Sequence, residues 1–382
     1  MKKKLRRIIT LAIALVMLTG LAACGTTNQP PPSSGNPSAT NAPTATNAPS
    51  ASGTSDPAAS GWTVEEMQGF YKGKTINMSV NEAPGANGDL MARMLLPYIQ
   101  NYTSGNVVAT NRREAAGVEA INWVYGRPEP DGLEIGQAML ANFLLSYIME
   151  LPGCEYNPAE IDFLFGVSIV PFVLVVNEDG PYGSIQDLQA ASNLKFGSTG
   201  ASSGSTMCVV STIHLLGLDA KTVTGFNMGD LYLAILSGEV AAATIPIESA
   251  AVWEGCKMLF ILSSERHPDA PDVPALPELM QIPADKKDLF DLWNDMLMQL
   301  HAYYTSPGTD PDKLEFLRGV ADVLASPDGE QFRKDAAVLQ GISVSPEDII
   351  PGAELQKIVN DITAQAPKIN GLLADLLVKY RA

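Results

Sequence analysis

Twice along this chain, a short β-type run ends in a loop of small residues that feeds straight into a helix. The first unit is Thr75–Val80, a loop over 82–88, and a helix opening at Asp89 whose apolar residues Leu90, Met94, Leu95 and Tyr98 recur at three and four. The second is Leu194–Gly197, a Ser, Thr, Gly and Ala loop over 198–205, and a stripe of Met207, Val210, Ile213 and Leu216 that stops at Gly217. Strand, loop and helix in that alternation specify an α/β architecture. They also suggest a chemistry, because a helix N-terminus offers free backbone N–H groups and a partial positive charge, which favour an anion. Strands are further expected at 106–110 and 133–137 around a helix at 114–125, and the unbroken apolar run 172–176 suits a strand buried on both faces. The C-terminal third is helical in pattern, started by Asp310-Pro311 and again by Ser326-Pro327, and finished by a helix carrying Leu372, Leu373, Leu376 and Leu377. A chain of 382 residues points to two lobes.

The N-terminus points to a compartment. Lys2 to Arg7 form a positive stretch, 8–18 is apolar but too short for a stable membrane span, and small residues follow, the pattern of an export signal. Leu21-Ala22-Ala23-Cys24-Gly25 resembles the bacterial lipobox, which implies a signal peptide over 1–23 and a diacylated Cys24 at the mature N-terminus. Two or more acyl chains anchor stably where one is marginal. Residues 25–61 collapse to Pro, Ser, Thr, Asn, Ala and Gly with Asp56 the single charge, and ATNAP recurs at 39–43 and 45–49. That composition cannot build a core, so 24–61 is expected to be a disordered tether, spanning roughly 30 to 37 Å as a flexible coil.

Charge removes one class of partner. Lys and Arg number 25 against 42 Asp and Glu, and five of the cations lie in the leader, so without residues 1–23 there are 20 cations against 42 acids, a net charge of −22. Nucleic-acid binding needs a cationic footprint and is not expected. Cys154, Cys208 and Cys256 remain after Cys24, with no CxxC or Cys/His spacing that would suggest zinc; a Cys208–Cys256 disulfide and free thiols both stay open. Gly200-Ala201-Ser202-Ser203-Gly204 matches G-x-S-x-G between a strand and a helix, so a serine hydrolase using Ser202, with Asp230 or Asp272 and then His267 or His301, is one alternative. A stretch this rich in Ser and Gly matches the pattern easily, and His301 beside Tyr303 and Tyr304 reads more simply as packing. No Walker loop, G-x-G-x-x-G, H-E-x-x-H or EF-hand loop is present, and neither metal nor cofactor is expected.

Three segments near the start of the globular part carry a more specific likeness. Tyr71-Lys72-Gly73-Lys74-Thr75-Ile76, Ala83-Pro84-Gly85-Ala86-Asn87-Gly88-Asp89 and Leu90-Met91-Ala92-Arg93 resemble the opening of the substrate-binding proteins of tripartite tricarboxylate transporters, typically Y-P-x-K-P-I, A-P-G-G-x-x-D and L-x-A-R. Val107 to Arg112 is similar to that family's V-V-V-E-N-R, Pro130-Asp131-Gly132 to P-D-G-Y, and Asp162-Phe163 and Phe172 to Val176 to its D-F and V-L-V-V. Arg266 with Pro271-Asp272-Val273-Pro274 and then Ser306-Pro307-Gly308-Thr309 continue the series in order, so the likeness covers about 70–350. The chain departs from the pattern where an aromatic is usual, at Glu82, where a loop Thr is replaced by Gly88, around Gly225 to Asp230, and at Ala241 in place of an Asp.

The resemblance implies a two-lobed type II periplasmic-binding fold with two crossover strands, lobe 1 being 62–174 plus 303–382 and lobe 2 being 175–302. It implies an extracytoplasmic receptor, lipid-anchored through Cys24, that captures a small carboxylate and delivers it to large and small integral-membrane transporter subunits. A sensory or adaptor lipoprotein with the same clamshell is the alternative from another class. Ala86, Asn87, Gly88 and Asp89 from lobe 1, and Thr199, Gly200, Ser202, Ser203 and Ser205 from lobe 2, would surround the ligand carboxylate, with Glu82 and Asp230 close enough to disfavour a dianion. The bland account of Asn87 and Ser205 is that they only cap their helices.

Overall fold

The computed structural model describes residues 61–382 apart from 168–169, 201–202 and 297–300. Cys24, the leader, the tether up to residue 60 and Ser202 lie outside the described residues. The chain runs α1 (Val64–Tyr71), β1 (Thr75–Val80), α2 (Asn87–Thr103), β2 (Asn106–Asn111), α3 (Val118–Tyr125), β3 (Glu134–Met139), α4 (Leu140–Ile148) and β4 (Asp162–Val167). It continues through β5 (Phe172–Asn177), α5 (Ile185–Ala190), β6 (Leu194–Gly197), α6 (Gly204–Leu216), β7 (Ala220–Val223), α7 (Met228–Leu236), β8 (Ala242–Pro246), α8 (Ile247–Ala251) and β9 (Cys256–Ile261). The last part comprises α9 (Leu276–Leu279), α10 (Lys287–Met296), β10 (His301–Thr305), α11 (Pro311–Arg318), α12 (Val320–Ala325), α13 (Glu330–Gln340), β11 (Ile349–Pro351), α14 (Gly352–Ala364) and α15 (Ala366–Tyr380). No helix among the described residues is long and apolar enough to cross a membrane.

Two sheets result, each the heart of one lobe. Sheet 1 has the order β11-β4-β10-β3-β1-β2 and sheet 2 the order β7-β6-β8-β5-β9. In sheet 1, β1 pairs parallel with β2 on one side and β3 on the other. In sheet 2, β6 stands in the same relation to β7 and β8. Each lobe therefore winds outward once and then doubles back across its first strand. Open α/β sheets bind ligands in the crevice this reversal leaves beyond the strands' C-terminal ends. The crevices lie past β1 and β3 in lobe 1, and past β6 and β8 in lobe 2. The strands that run against these parallel sets are β10, antiparallel to β3 and β4, β11, antiparallel to β4, and β5, antiparallel to β8 and β9.

Side-chain alternation explains the strands. Ile76, Met78 and Val80 of β1 are fully buried under Met91, Leu95 and Ile99 of α2. Along β5, Leu174 and Val176 enter one apolar cluster while Val173 and Val175 enter another, as an unbroken apolar run requires. The first of those clusters is shared by both lobes, joining Phe143 and Phe163 of lobe 1 to Met207 and Val210 of lobe 2. Leu373 and Leu376 of α15 enter it too, and Arg381, just beyond that helix, forms a parallel bridge with Thr222 at the edge of sheet 2. Cys208 and Cys256 are free thiols, buried and half-buried in different clusters, and Cys154 is also free.

Candidate functional site

The first half-site is the junction between β1 and α2. Ala83-Pro84-Gly85-Ala86 is a turn with Pro at its second position and Gly85 at a φ of +80°, closed by the Ala86 N–H donating to Ala83 O at 3.0 Å. Asp89 fastens this turn to the helix. One of its oxygens accepts from the Gly85 N–H at 2.8 Å, the Arg93 Nε reaches both at 2.9 and 3.0 Å, and Asn111 Nδ2 donates at 2.8 Å. Burial pushes the Asp89 carboxyl up, but these donors together hold it below the ordinary carboxylate range. Asp89 is thus buried and fully engaged within lobe 1. Ala86 stands at the N-cap of α2 without a side-chain bond, and Asn87 is an exposed first helical residue.

Glu82 turns inward onto the helix start. Its Oε2 accepts from the Gly88 N–H at 3.1 Å. Burial pushes its carboxyl up, the Gly88 N–H pulls it down, and the charge of Asp89 pushes it up again; the balance is a raised pKa. Beneath it lies a buried polar row that sequence reasoning missed. Val80, Gln137 and Tyr303 stand in register across β1, β3 and β10. Gln137 Nε2 lies 3.2 Å from His301 Nδ1, and both residues are buried. Burial lowers the His301 pKa to about 4, so the ring is neutral at physiological pH. Gln137 Oε1 and the Tyr303 hydroxyl are buried with no hydrogen-bond partner.

The second half-site is the junction between β6 and α6. Ser203, rather than Ser205, is the N-cap: its Oγ accepts from the Thr206 N–H at 3.2 Å and donates to Gly200 O at 2.8 Å. Thr199 Oγ1 lies 3.0 Å from that same hydroxyl, and Ser198 Oγ lies 2.7 Å from Thr206 Oγ1. The hydroxyls therefore hold the loop's own shape, and Ser205 occupies the helix's first turn, half-buried. Asp230 is an exposed first-turn residue of α7, its N–H donating to the Asn227 side chain at 2.9 Å and its carboxylate accepting from Asn227 Nδ2, and the segment before that helix is bonded to the loop through the Phe226 N–H to Ser198 O at 3.4 Å.

One connection brings the two half-sites together. Gln137, below Gly88, lies two residues before the end of β3, and five residues later Asn142 in α4 has its Oδ1 3.4 Å from where a Cβ on Gly204 would stand, at the start of α6. A chain extends at most about 3.6 Å per residue, so Gln137 beneath the start of α2 and Asn142 beside the start of α6 are no more than about 18 Å of chain apart. Glu248, at the start of α8 just past β8, is a further acid on the lobe 2 crevice, half-buried with its Oε2 out of water, its pKa raised by burial to about 7 against the pull of its own and the Ser249 N–H.

The family model described as the tripartite tricarboxylate transporter family receptor matches residues 91–291. This chain belongs to that family. Its members are solute-binding receptors rather than enzymes. Protein BugT of Bordetella pertussis is 29% identical over 223 residues, 55% of this chain and 67% of BugT. A TctC solute-binding protein from Polaromonas has the same two-lobed fold, with a TM-score of 0.64 at 16% identity over 78% of this chain and 98% of that one. MatC from Rhodopseudomonas palustris, solved with bound malate, follows with a TM-score of 0.57 at 20% identity over 78% and 99%.

Proposed function

We propose that this tripartite tricarboxylate transporter receptor is an exported lipoprotein, anchored through Cys24 on the outer side of the cell membrane, which closes on a small carboxylate and delivers it to large and small integral-membrane transporter subunits. The observation that carries the binding role is the pair of strand-to-helix junctions on the two switch crevices, linked by the short run from Gln137 to Asn142. The ligand carboxylate sits at the start of α6, on backbone N–H groups framed by Thr199, Gly200, Ser202, Ser203 and Ser205, with Ala86, Asn87 and Gly88 closing from lobe 1. Asp89 supports that closure by fixing the 83–88 turn. Malate in MatC, a relative of the same fold, supports the carboxylate class. Anchoring rests on the lipobox around Cys24 and on a tether long enough to hold the lobes clear of the bilayer.

Two measurements test the proposal. Calorimetric titration of the mature chain with mono-, di- and amino-carboxylates is expected to find at least one saturable ligand, and the absence of any would remove the binding role. Membrane fractionation is expected to leave the wild type with the membrane and release the Cys24→Ala variant or leave it unprocessed; a soluble wild type without acyl mass on Cys24 ends the anchoring assignment.

A further inference from the structure

Helix α2 starts with an anion already in place. Glu82 Oε2 takes the Gly88 N–H, and the carboxylate lies so low over Gly88 that a Cβ there would meet Oε1 at 2.2 Å and Cδ at 2.6 Å. Any side chain at position 88 would expel it. The two departures from the family pattern, an acid at 82 and a glycine at 88, are therefore a single device: the second makes room for the first.

The surroundings do not neutralise that acid. Arg93, the cation of the first two turns of α2, is bound to Asp89 through Nε and to Asn111 through Nη2. Below Glu82, the fully buried Gln137 has its Nε2 3.0 Å from the same Cβ position on Gly88, and its Oε1 has no partner. Tyr303, fully buried in the same row, lies near enough that the charge of Glu82 adds to burial in raising its phenol. The start of α2 thus carries the Glu82 carboxyl, with the Gly88 N–H already taken, where a bare helix start would present a free donor. A ligand carboxylate arriving there would compete with Glu82 for the Gly88 N–H while standing against a like charge.

We infer that lobe 1 receives the cationic end of a zwitterionic acid, an ammonium seated on the Glu82 carboxylate at the start of α2, while the ligand's carboxylate lies on the lobe 2 side at the start of α6. The inference rests on the receptor function proposed above and narrows its ligand to amine-bearing acids. The net charge of −17 over the whole chain suits the approach of a cationic group better than that of a dianion.

Matched pairs make the test. The mature chain is titrated calorimetrically with aspartate against succinate, glutamate against glutarate, and 4-aminobutyrate against butyrate. At least one amine-bearing acid is expected to bind at least tenfold more tightly than its amine-free partner, and Glu82→Gln is expected to reduce that ratio at least tenfold. Amine-free acids binding as tightly as their partners, or tighter, overturn the inference and leave the receptor function standing. A preference for amines that Glu82→Gln does not alter overturns the role of Glu82. No binding by any of the six acids counts against the inference, and extension of that failure to the wider carboxylate series counts against the receptor function as well. If Glu82→Gln does not fold, the wild-type ratios alone decide, with Glu82→Asp as the second variant, expected to lower the ratio by withdrawing the carboxylate from Gly88.

Discussion

Replacing Glu248 with Gln should stabilise the protein in alkali and leave it unchanged in acid. The carboxyl sits at the start of α8, largely out of water, and its Oε2 has no partner. Burial raises its pKa from 4.5 to about 7. A carboxyl raised in the folded state is bound to its proton more tightly there than in the unfolded chain, so stability falls as the pH climbs between those two values and the whole penalty is present above the upper one. The difference of about 2.5 units, at 1.36 kcal/mol each, sets that penalty at about 3 kcal/mol. Gln keeps the shape and loses the charge. Its buried amide costs about what the protonated carboxyl costs, so about 1 to 3 kcal/mol favours the variant at high pH and little separates the two proteins in acid. Urea unfolding of wild type and Glu248→Gln at about pH 5 and about pH 8.5, followed by tryptophan fluorescence, isolates the effect, because every other titrating group is common to both proteins and cancels in the difference. Parallel loss of stability by the two proteins over that interval would refute the burial argument.

Gly136→Ala is expected to destabilise lobe 1 by about 1 to 3 kcal/mol or more, because the new methyl would stand 2.2 Å from the Tyr304 ring, which is itself boxed in by Phe143 and Phe163; thermal melting reads it directly. Asp89→Asn should cost about 2 kcal/mol near neutral pH by weakening the bonds to Arg93, Gly85 and Asn111. Asp89 is held below its ordinary 3.8, so its contribution is complete above that value and lost as the pH falls beneath it, and the gap between wild type and variant should close on acidification.

Local pattern made some of this protein legible and not the rest. β1 and β6 occupy the residues their alternation marks, and α6 ends at Gly217 in the left-handed conformation that only the glycine takes easily. Both loop-to-helix junctions were visible because small residues, turns and helix starts are written in adjacent positions. Long-range pairing was not visible. Gln137 reads as one polar residue near a strand's end, and His301 as packing beside two tyrosines; that they meet depends on the register of β10 against β3. The capping residue of α6 was misplaced by two positions, since Ser203 and Ser205 are equally good candidates until the Gly200 carbonyl is seen to take the Ser203 hydroxyl. Glu82 is legible as an acid beside the loop; that it lies over Gly88 depends on how the turn at 83–86 folds it back onto the helix start.

Within sheet 1, β4 meets β3 only across β10, whose His301 reaches Gln137 over 164 residues of sequence. Lobe 2 carries all five strands of its sheet between 172 and 261 and can close on itself, whereas lobe 1 has a gap at its centre until 301–305 arrive. Pairings of such high sequence separation form late, because the loop entropy is lost before the contact repays it. The acid-bearing half-site needs His301 and Tyr303 beside Gln137, so it is assembled after lobe 2. In a refolding experiment, ligand binding should therefore reappear with the slowest phase, after lobe 2 has regained its structure.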